Sequence, residues 1–284
     1  MTSHDVVNRL RRITGEQSIG HLGTLDPMAT GVLPLLMGKF TRLARYFSAA
    51  EKSYTGTVRF GFSTDTYDAD GKPAGSDLWP EAAQGLTLEL VRVAAQRFRG
   101  EIEQMPPPFS AKKIDGKAAY KLAREGKPVE LKPARIQIDA FEISAMEGAE
   151  ASFTMTISAG GYVRSVAHEL GQDLGCGAHL SRLRRTQAGA FTLADAHTLE
   201  ELEALAGNVA ALEAVCLHPR SLLPEMPSVT GDGPALGRLR NGAQANLPEF
   251  SMAPLVKVFA GPRELAGIAR RVAGTLFQPV IVMG

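Results

Sequence analysis

The sequence predicts an α+β protein with a small β-rich tail, and three observations carry that expectation. Strand-like and helix-like segments mix without the strict strand–helix alternation of a doubly wound sheet. Apolar residues recur with period two in some stretches and with helical period in others. A proline-rich stretch from His218-Pro219 to Pro227 separates a long first part from a short tail.

In chain order, Val6, Val7, Leu10 and Ile13 stand at helical spacing behind Thr2 and Ser3, which predicts a short amphipathic opening helix. A glycine-rich stretch, Gly20 to Pro27, follows. Tyr54, Gly56, Val58, Phe60 and Phe62 alternate with Thr55, Thr57, Arg59 and Gly61 and read as a strand, with the polar run Ser63 to Gly71 as a loop. A helix is expected from about Thr87 to Phe98, stopped by Gly100, before Met105-Pro106-Pro107-Pro108 forbids regular structure. Another is expected from Lys117 to Glu125. Ile136 and Ile138 indicate a strand, and Phe153, Met155 and Ile157 a second. Val163, Val166, Ala167, Leu170 and Leu174 fit a helix between Tyr162 and Leu174 that Gly175 ends. Thr198 with Glu201 makes a capping box ahead of Leu202 and Leu205. In the tail, Leu255 to Phe259 and Pro279 to Met283 are β-like.

The 284 residues suffice for one large domain and a small one, with 44% hydrophobic and 21% charged residues placing the chain among ordinary globular proteins. Cys176 and Cys216 match no ligand spacing, so two reduced, mostly buried thiols are expected and a disulfide framework or cysteine zinc site is not. No apolar run reaches membrane-spanning length and the first residues do not read as a signal peptide, so a cytoplasmic location without membrane association is expected. The net charge of +1 is uninformative. Its distribution is not: between Lys112 and Arg135 eight basic residues face only Asp115, Glu125 and Glu130, enough for a local basic surface.

Several motifs fail on spacing. Gly31 to Gly38-Lys39 is too long for a phosphate-binding loop and continues into Phe40. His168-Glu169 opens like a zinc-protease helix, but the fifth residue is Gln172. Gly160-Gly161 before a helix could cradle an anion, and more often is a turn. Asp26 is the stronger candidate. Pro27 pushes it out of helical geometry, and Gly20 and Gly23 let the backbone approach closely, so a carboxylate is presented on a stiff loop. An isolated Asp-Pro is usually a turn starter.

Residues 20–31, Gly-His-Leu-Gly-Thr-Leu-Asp-Pro-Met-Ala-Thr-Gly, closely resemble the signature of the TruB-type pseudouridine synthases. Further blocks match in the same order: Glu51 to Tyr54, Thr64 to Gly71, Gln104 to Lys113 with Gly116 and Tyr120, Gly160 to Ser165, and Leu174 to His179 leading to Leu183-Arg184-Arg185. The resemblance implies the pseudouridine synthase fold, with a mixed, largely antiparallel central sheet flanked by helices and a small PUA-like C-terminal domain. It implies a catalytic domain over 1–222 with a thumb-like RNA-binding insertion at about 104–150, and an RNA-binding domain over 226–284. Family members usually begin with a strand ending in Lys-Pro ahead of the segment matched by Met1 to Asp5. No such strand is in the sequence, so one edge of the sheet is expected to be missing or to lie upstream.

The implied activity is isomerisation of uridine 55 in the T arm of tRNA, with no cofactor, no metal and no guide RNA, by an enzyme expected to be monomeric. Asp26 is the implied catalytic carboxylate, Arg164 its guanidinium partner, and Tyr54 the implied catalytic aromatic that lies against the target base and is a candidate to take its C5 proton. Tyr162 and Leu183 match the uracil pocket, and His21 the residue that fills the space of the flipped nucleotide. Lys112, Lys117 and Lys121 are expected to hold phosphates. Plainer readings stand beside these: a strand aromatic for Tyr54, core packing for Tyr162 and Leu183, a solvated loop histidine for His21. Two other functions remain open on the sequence, a tRNA-binding or folding chaperone of the same family that has lost catalysis, and a carboxylate-nucleophile hydrolase.

Overall fold

The computed structural model describes residues 1–74, 83–110, 113–114, 117–118 and 131–283. The chain divides into two compact units. The first comprises Met1–Val7, His21–Leu35 and Phe47–Ala196; the second comprises Asn8–Gly20, Leu36–Tyr46 and His197–Gly284. This partition groups 197–222 with the tail, whereas the sequence drew a single division between 222 and 226.

The chain opens with helix α1 (Ser3–Thr14), whose Val7, Leu10 and Ile13 are buried at helical spacing as expected. Short strands β1 (Ile19–His21), β2 (Thr30–Gly31) and β3 (Leu35–Met37) follow, then a 3-10 helix over Gly38–Tyr46. Next come β4 (Lys52–Phe60), β5 (Ser63–Thr64), β6 (Pro73–Ala74), helix α2 (Leu88–Gln96) and β7 (Gly100–Gln104). After β8 (Lys113–Ile114) and β9 (Lys117–Ala118) the first unit continues with β10 (Ala134–Glu147), β11 (Glu150–Ile157), helix α3 (Val163–Asp173), β12 (Ala178–Ala188) and β13 (Phe191–Thr192).

These strands build a seven-stranded sheet in the order β13-β12-β4-β11-β10-β7, with β2 added parallel beside β12 and every other neighbour antiparallel. A mixed, largely antiparallel sheet flanked by helices is what the sequence implied. The sheet forms because β10 and β11 alternate: Ile136, Ile138, Phe141 and Ile143 from one and Ala151, Phe153, Met155 and Ile157 from the other are all buried. Helix α2 lays Val91, Ala94 and Ala95 on this face, with Thr87 capping its first turn through Leu90 N–H, and Phe98 follows it into the core. Phe98, Phe141 and Phe153 meet edge to face, at centroid distances of 6.3 and 5.8 Å. Helix α3 packs Val163, Val166, Ala167 and Leu170 into the same core.

The second unit contains helices α4 (Leu199–Ala204), α5 (Val209–Val215) and α6 (Gly233–Arg240) and strands β14 (Ser228–Thr230), β15 (Ala245–Asn246), β16 (Leu255–Ala260), β17 (Glu264–Ala273) and β18 (Leu276–Val282). Thr198 and Glu201 form the expected capping box on α4. The strands make a five-stranded sheet, β14-β16-β17-β18-β15, around Val256, Val258, Ala269, Phe277 and, from α6, Leu236 and Leu239. The tail is therefore the small β-rich domain anticipated. The proline-rich stretch ahead of it is no free linker. Buried Lys257 donates to the carbonyls of Arg220 and Leu222 at 2.7 and 2.6 Å, and the Arg220 guanidinium lies 4.1 Å from the centre of the Phe259 ring.

Other sequence expectations need correction. The region assigned to an insertion reaching residue 150 ends earlier, because β10 from Ala134 onward is an interior strand of the main sheet. Lys117 does not open a helix: Lys117–Ala118 pairs with Lys113–Ile114 as a strand, and the remainder of the expected helix lies outside the described residues. Ser63 and Thr64 are buried in a short pair with Pro73 and Ala74, not in an open loop. Cys176 is buried, but Cys216 is exposed. Among the described residues no helix is long and apolar enough to cross a membrane.

Candidate active site

The loop between β1 and β2 carries Asp26. Its carbonyl accepts from Ala29 N–H at 2.9 Å, closing a tight turn with Pro27 in the position where proline's fixed φ is already suitable. The loop is fastened on the residue before Asp26: Leu25 N–H donates to Ser3 Oγ at 2.8 Å, and that hydroxyl contacts Leu25 O at 3.3 Å. At its far end Gly31 has φ +99, and a Cβ there would fall 2.1 Å from the carbonyl oxygen of Arg185, so only glycine lets β2 approach β12. The result is a carboxylate with a fixed backbone and a side chain still 29% exposed.

Arg164 stands in the first turn of α3 with its side chain only 6% exposed. Its Nε donates to Asp26 Oδ2 at 2.9 Å and its Nη2 to Asp26 Oδ1 at 2.8 Å, a fork-to-fork pair. Nη2 also donates to Phe109 O at 3.1 Å, and Nη1 to Thr66 O at 3.0 Å, with Asp68 Oδ2 3.4 Å away. Four of the five guanidinium N–H groups thus donate to an acceptor and Asp68 stands as an ion-pair partner of Nη1, which together fix the orientation of the group. Asp68 is itself buried and held by Thr66 Oγ1 at 2.6 Å and Asp70 N–H at 3.1 Å. Burial pushes its carboxyl pKa up, partly offset by Thr66 and Arg164.

The structure brings two phenols to the same place. Tyr54 lies on β4, opposite Arg185 on β12, and burial pushes its phenol up while the Arg185 guanidinium beside it pulls it down. Tyr162 is the residue before α3; burial raises its phenol too, with the Ser110 hydroxyl and Arg164 offsetting part of the effect. The charge of Asp26 raises both phenols slightly, so all three side chains share one electrostatic neighbourhood. His21 ends β1. Its Nδ1 is buried without a hydrogen-bond partner among the described residues, and burial, then Arg185, lower its pKa. Burial thus favours the neutral form of the His21 ring. Leu183 is buried in the main core, paired with Gly56 across β12 and β4. Lys112 and Lys121 lie outside the described residues, and of Lys117 only the backbone is described, in β9.

Gln104 was not singled out by the sequence. Its side chain, buried at the end of β7, accepts from Tyr162 N–H at 2.8 Å and donates to Tyr162 O at 3.0 Å. Ser165 Oγ adds a bond to Met105 O at 2.8 Å. The Pro-Pro-Pro stretch is thereby tied to the helix start that aims Arg164. The signal was present, because an amide ahead of a run without regular structure has backbone groups to satisfy. Its partner in sequence, 58 residues away, was not readable. Toward Arg164, Thr66 and Phe109 contribute only carbonyl oxygens, which any residue supplies.

Among the described residues no three His, Cys, Asp or Glu side chains are grouped as metal ligands. The arrangement offers an anchored carboxylate, a saturated guanidinium that aims it, and two aromatic rings beside them.

Two family models match the chain: TruB family pseudouridylate synthase (N terminal domain) over residues 11–163, and tRNA pseudouridylate synthase B C-terminal domain over residues 164–221. The chain is 44% identical over 285 residues to tRNA pseudouridine synthase B of Solibacter usitatus, spanning 99% of this chain and 96% of that protein. It is 38% identical to the protein of the same name from Aquifex aeolicus, over 94% of this chain and 92% of that one. Among solved structures, the archaeal box H/ACA sRNP Nop10-Cbf5 complex contains a chain that superposes with a TM-score of 0.68 at 22% identity, covering 100% of this chain and 83% of that one. That likeness concerns the fold.

Proposed function

The chain belongs to the TruB family of pseudouridylate synthases, and from that premise we propose that it converts uridine 55 in the T arm of tRNA to pseudouridine, with Asp26 as the reacting carboxylate and without a guide RNA. The reaction breaks the C1′–N1 bond, turns the base and joins C1′ to C5, with C5 losing its proton and N1 gaining one, so that the product is an isomer. It needs an ionised carboxylate beside the sugar and base, and nothing is oxidised or imported. One observation carries the reading: the Asp26 carboxylate keeps 29% of its side chain open to solvent while the guanidinium that fixes both its oxygens is buried. A salt bridge made for stability would gain nothing from leaving one partner open; a reacting carboxylate requires it.

In this reading the target nucleotide leaves its stack, at a cost of a few kcal/mol, and its base enters beside Tyr54 and Tyr162. Tyr54 provides the aromatic face. Tyr162, held by Gln104, borders the base, and the buried Leu183 backs that wall. The neutral imidazole of His21 is suited to fill the space the base vacates, since no charge has to be desolvated when it inserts. Lys112, Lys117 and Lys121 hold phosphates, and the tail over 226–284 serves as a second RNA-binding domain. Attack by Asp26 on C6 or C1′ and removal of the C2′ proton all demand the same placement of this carboxylate.

The test is to incubate the purified protein with an unmodified tRNA transcript and map pseudouridine, with Asp26→Asn alongside. Pseudouridine at position 55 with wild type and none with Asp26→Asn is the expected result. RNA binding without product by wild type would overturn the proposal, and free uracil in the supernatant would point to hydrolysis instead.

A further inference from the structure

Arg185, on β12, is among the largest fully buried side chains, only 1% exposed. Among the described residues it has no carboxylate within ion-pair distance, so its charge is met by carbonyl groups: Val32 O accepts from Nε at 2.7 Å, Gly23 O from Nη2 at 3.1 Å and Thr24 O from Nη1 at 3.4 Å. These carbonyls bracket Asp26, two on the limb that precedes it and one on the limb that follows. The backbone of the same residue repeats the grip, since Val32 N–H donates to Arg185 O at 2.9 Å and β2 runs parallel to Arg184 and Arg185. Across the sheet Arg185 is paired with Tyr54, and its guanidinium lies beside that phenol.

Packing alone does not explain such a residue. A buried cation without an anion costs more than a methionine or leucine of similar volume. What the guanidinium supplies is a rigid planar fork whose donors diverge far enough to hold both limbs of one loop, which a point-like ammonium cannot do. Resting on the reading of Asp26 as the reacting carboxylate, we propose that Arg185 is a positioning residue that sets the distance between the Asp26 loop and the strand bearing Tyr54, and that the rate of isomerisation depends on its fork geometry and not only on its charge.

Arg185→Lys keeps the charge and loses the fork. Single-turnover conversion of an unmodified tRNA transcript, with enzyme in excess and rates referred to the fraction that binds tRNA, is compared with tRNA affinity measured separately. Displacing a reacting group by about 1 Å costs up to a hundredfold, so the rate constant is expected to fall by roughly ten- to a hundredfold while tRNA affinity stays within about twofold. Should Arg185→Lys fail to fold, Gly31→Ala pushes β2 away from Arg185 O and is expected to give the same split between rate and affinity. A folded variant with wild-type rate, or a loss confined to affinity, overturns the inference. The outcome is separable from that of the function itself. Absence of product with wild type, or product with Asp26→Asn, sinks the reading of Asp26, whereas a wild-type rate in Arg185→Lys sinks the positioning role alone.

Discussion

Arg164 meets both oxygens of Asp26, at 2.9 Å through Nε and 2.8 Å through Nη2, donates further to Thr66 O and Phe109 O, and forms an ion pair with Asp68. Lysine in its place could make one bond to the carboxylate and would leave buried acceptors unmet. A hydrogen bond to a charged group is worth about 1.5–3 kcal/mol, roughly ten- to a hundredfold in rate. Arg164→Lys is therefore expected to slow single-turnover conversion by at least that factor with little change in tRNA affinity. Equal losses in rate and affinity would show that Arg164 serves binding, not aim.

Gln104 closes a reciprocal pair with the backbone of Tyr162 at 2.8 and 3.0 Å. Gln104→Leu keeps the volume and leaves the Tyr162 N–H unpaired and its C=O with only the Val166 N–H at 3.3 Å, at about 1–3 kcal/mol for a buried unpaired group. At roughly 2–4 °C per kcal/mol for a domain of this size, the melting temperature should fall by several degrees. Because Tyr162 begins the helix that carries Arg164, conversion should slow as well, measured well below the melting range. A lower melting temperature with an unchanged rate would confine Gln104 to stability.

The two parts of this site differ in how far they could be read from sequence. Asp26, Tyr54 and Arg164 were legible because each sits in a block that resembles the TruB-type signature: the Gly-rich stretch with Asp-Pro, Glu51 to Tyr54, and Gly160 to Ser165. Period-two and helical spacing likewise located β4 and α3 to within a residue or two at each end, and β11 from its fourth residue onward. What stayed hidden were contacts whose chemistry is carried by the main chain or by distant partners. The carbonyls of Thr66 and Phe109 have no residue signature, and Arg185 reads in sequence as one more charge after Leu183-Arg184. Lys117 misled because its helix-favouring neighbours outweighed a local strand pairing with Lys113–Ile114.

Tyr54 is expected to act as a surface for the base, not as a proton acceptor at neutral pH. Burial raises its phenol from an already high starting value, and Arg185 offsets only part of that. Between pH 6 and 9 the ring stays protonated, so the conversion rate should show no rise across this range that disappears in Tyr54→Phe. Tyr54→Phe should keep the rate within about tenfold, and Tyr54→Leu, which loses the aromatic face, should lose considerably more. An alkaline rise present in wild type and absent in Tyr54→Phe would instead make the phenolate the base.

Glu169, on α3, lines a cleft of about 310 Å³ with Arg97, Phe98, Ile102, Glu103, Gln172 and Asp173, and burial followed by Asp173 pushes its carboxyl up to about 7. Unfolded, the group has its ordinary value of 4.5, so the folded state binds its proton more tightly. The stabilising contribution is complete below the unfolded value and is lost as pH rises through the folded one. Glu169→Gln removes that slope. Its melting temperature relative to wild type should climb between pH 5 and 8 and be nearly level below pH 4.5. A difference that does not change with pH would mean that folding leaves the affinity of the carboxyl for its proton unchanged.

Lys112, Lys117 and Lys121 fall in the part of the chain between the two sheet strands β7 and β10, next to Phe109, whose carbonyl holds Arg164. If these lysines neutralise phosphates, each releases condensed counterions, and the slope of log affinity against log salt is about −0.7 to −0.9 per contact. Replacing all three with alanine should flatten that slope by roughly two units and weaken binding most at low salt, where the released ions matter most. The single-turnover rate with saturating enzyme should change far less, because the Asp26–Arg164 pair keeps all of its described partners. A slope equal to that of wild type would move the phosphate contacts elsewhere on the protein. A collapse of the rate at saturation would show instead that this segment shapes the site, acting through the Pro-Pro-Pro strap that Gln104 and Ser165 fasten to the helix start.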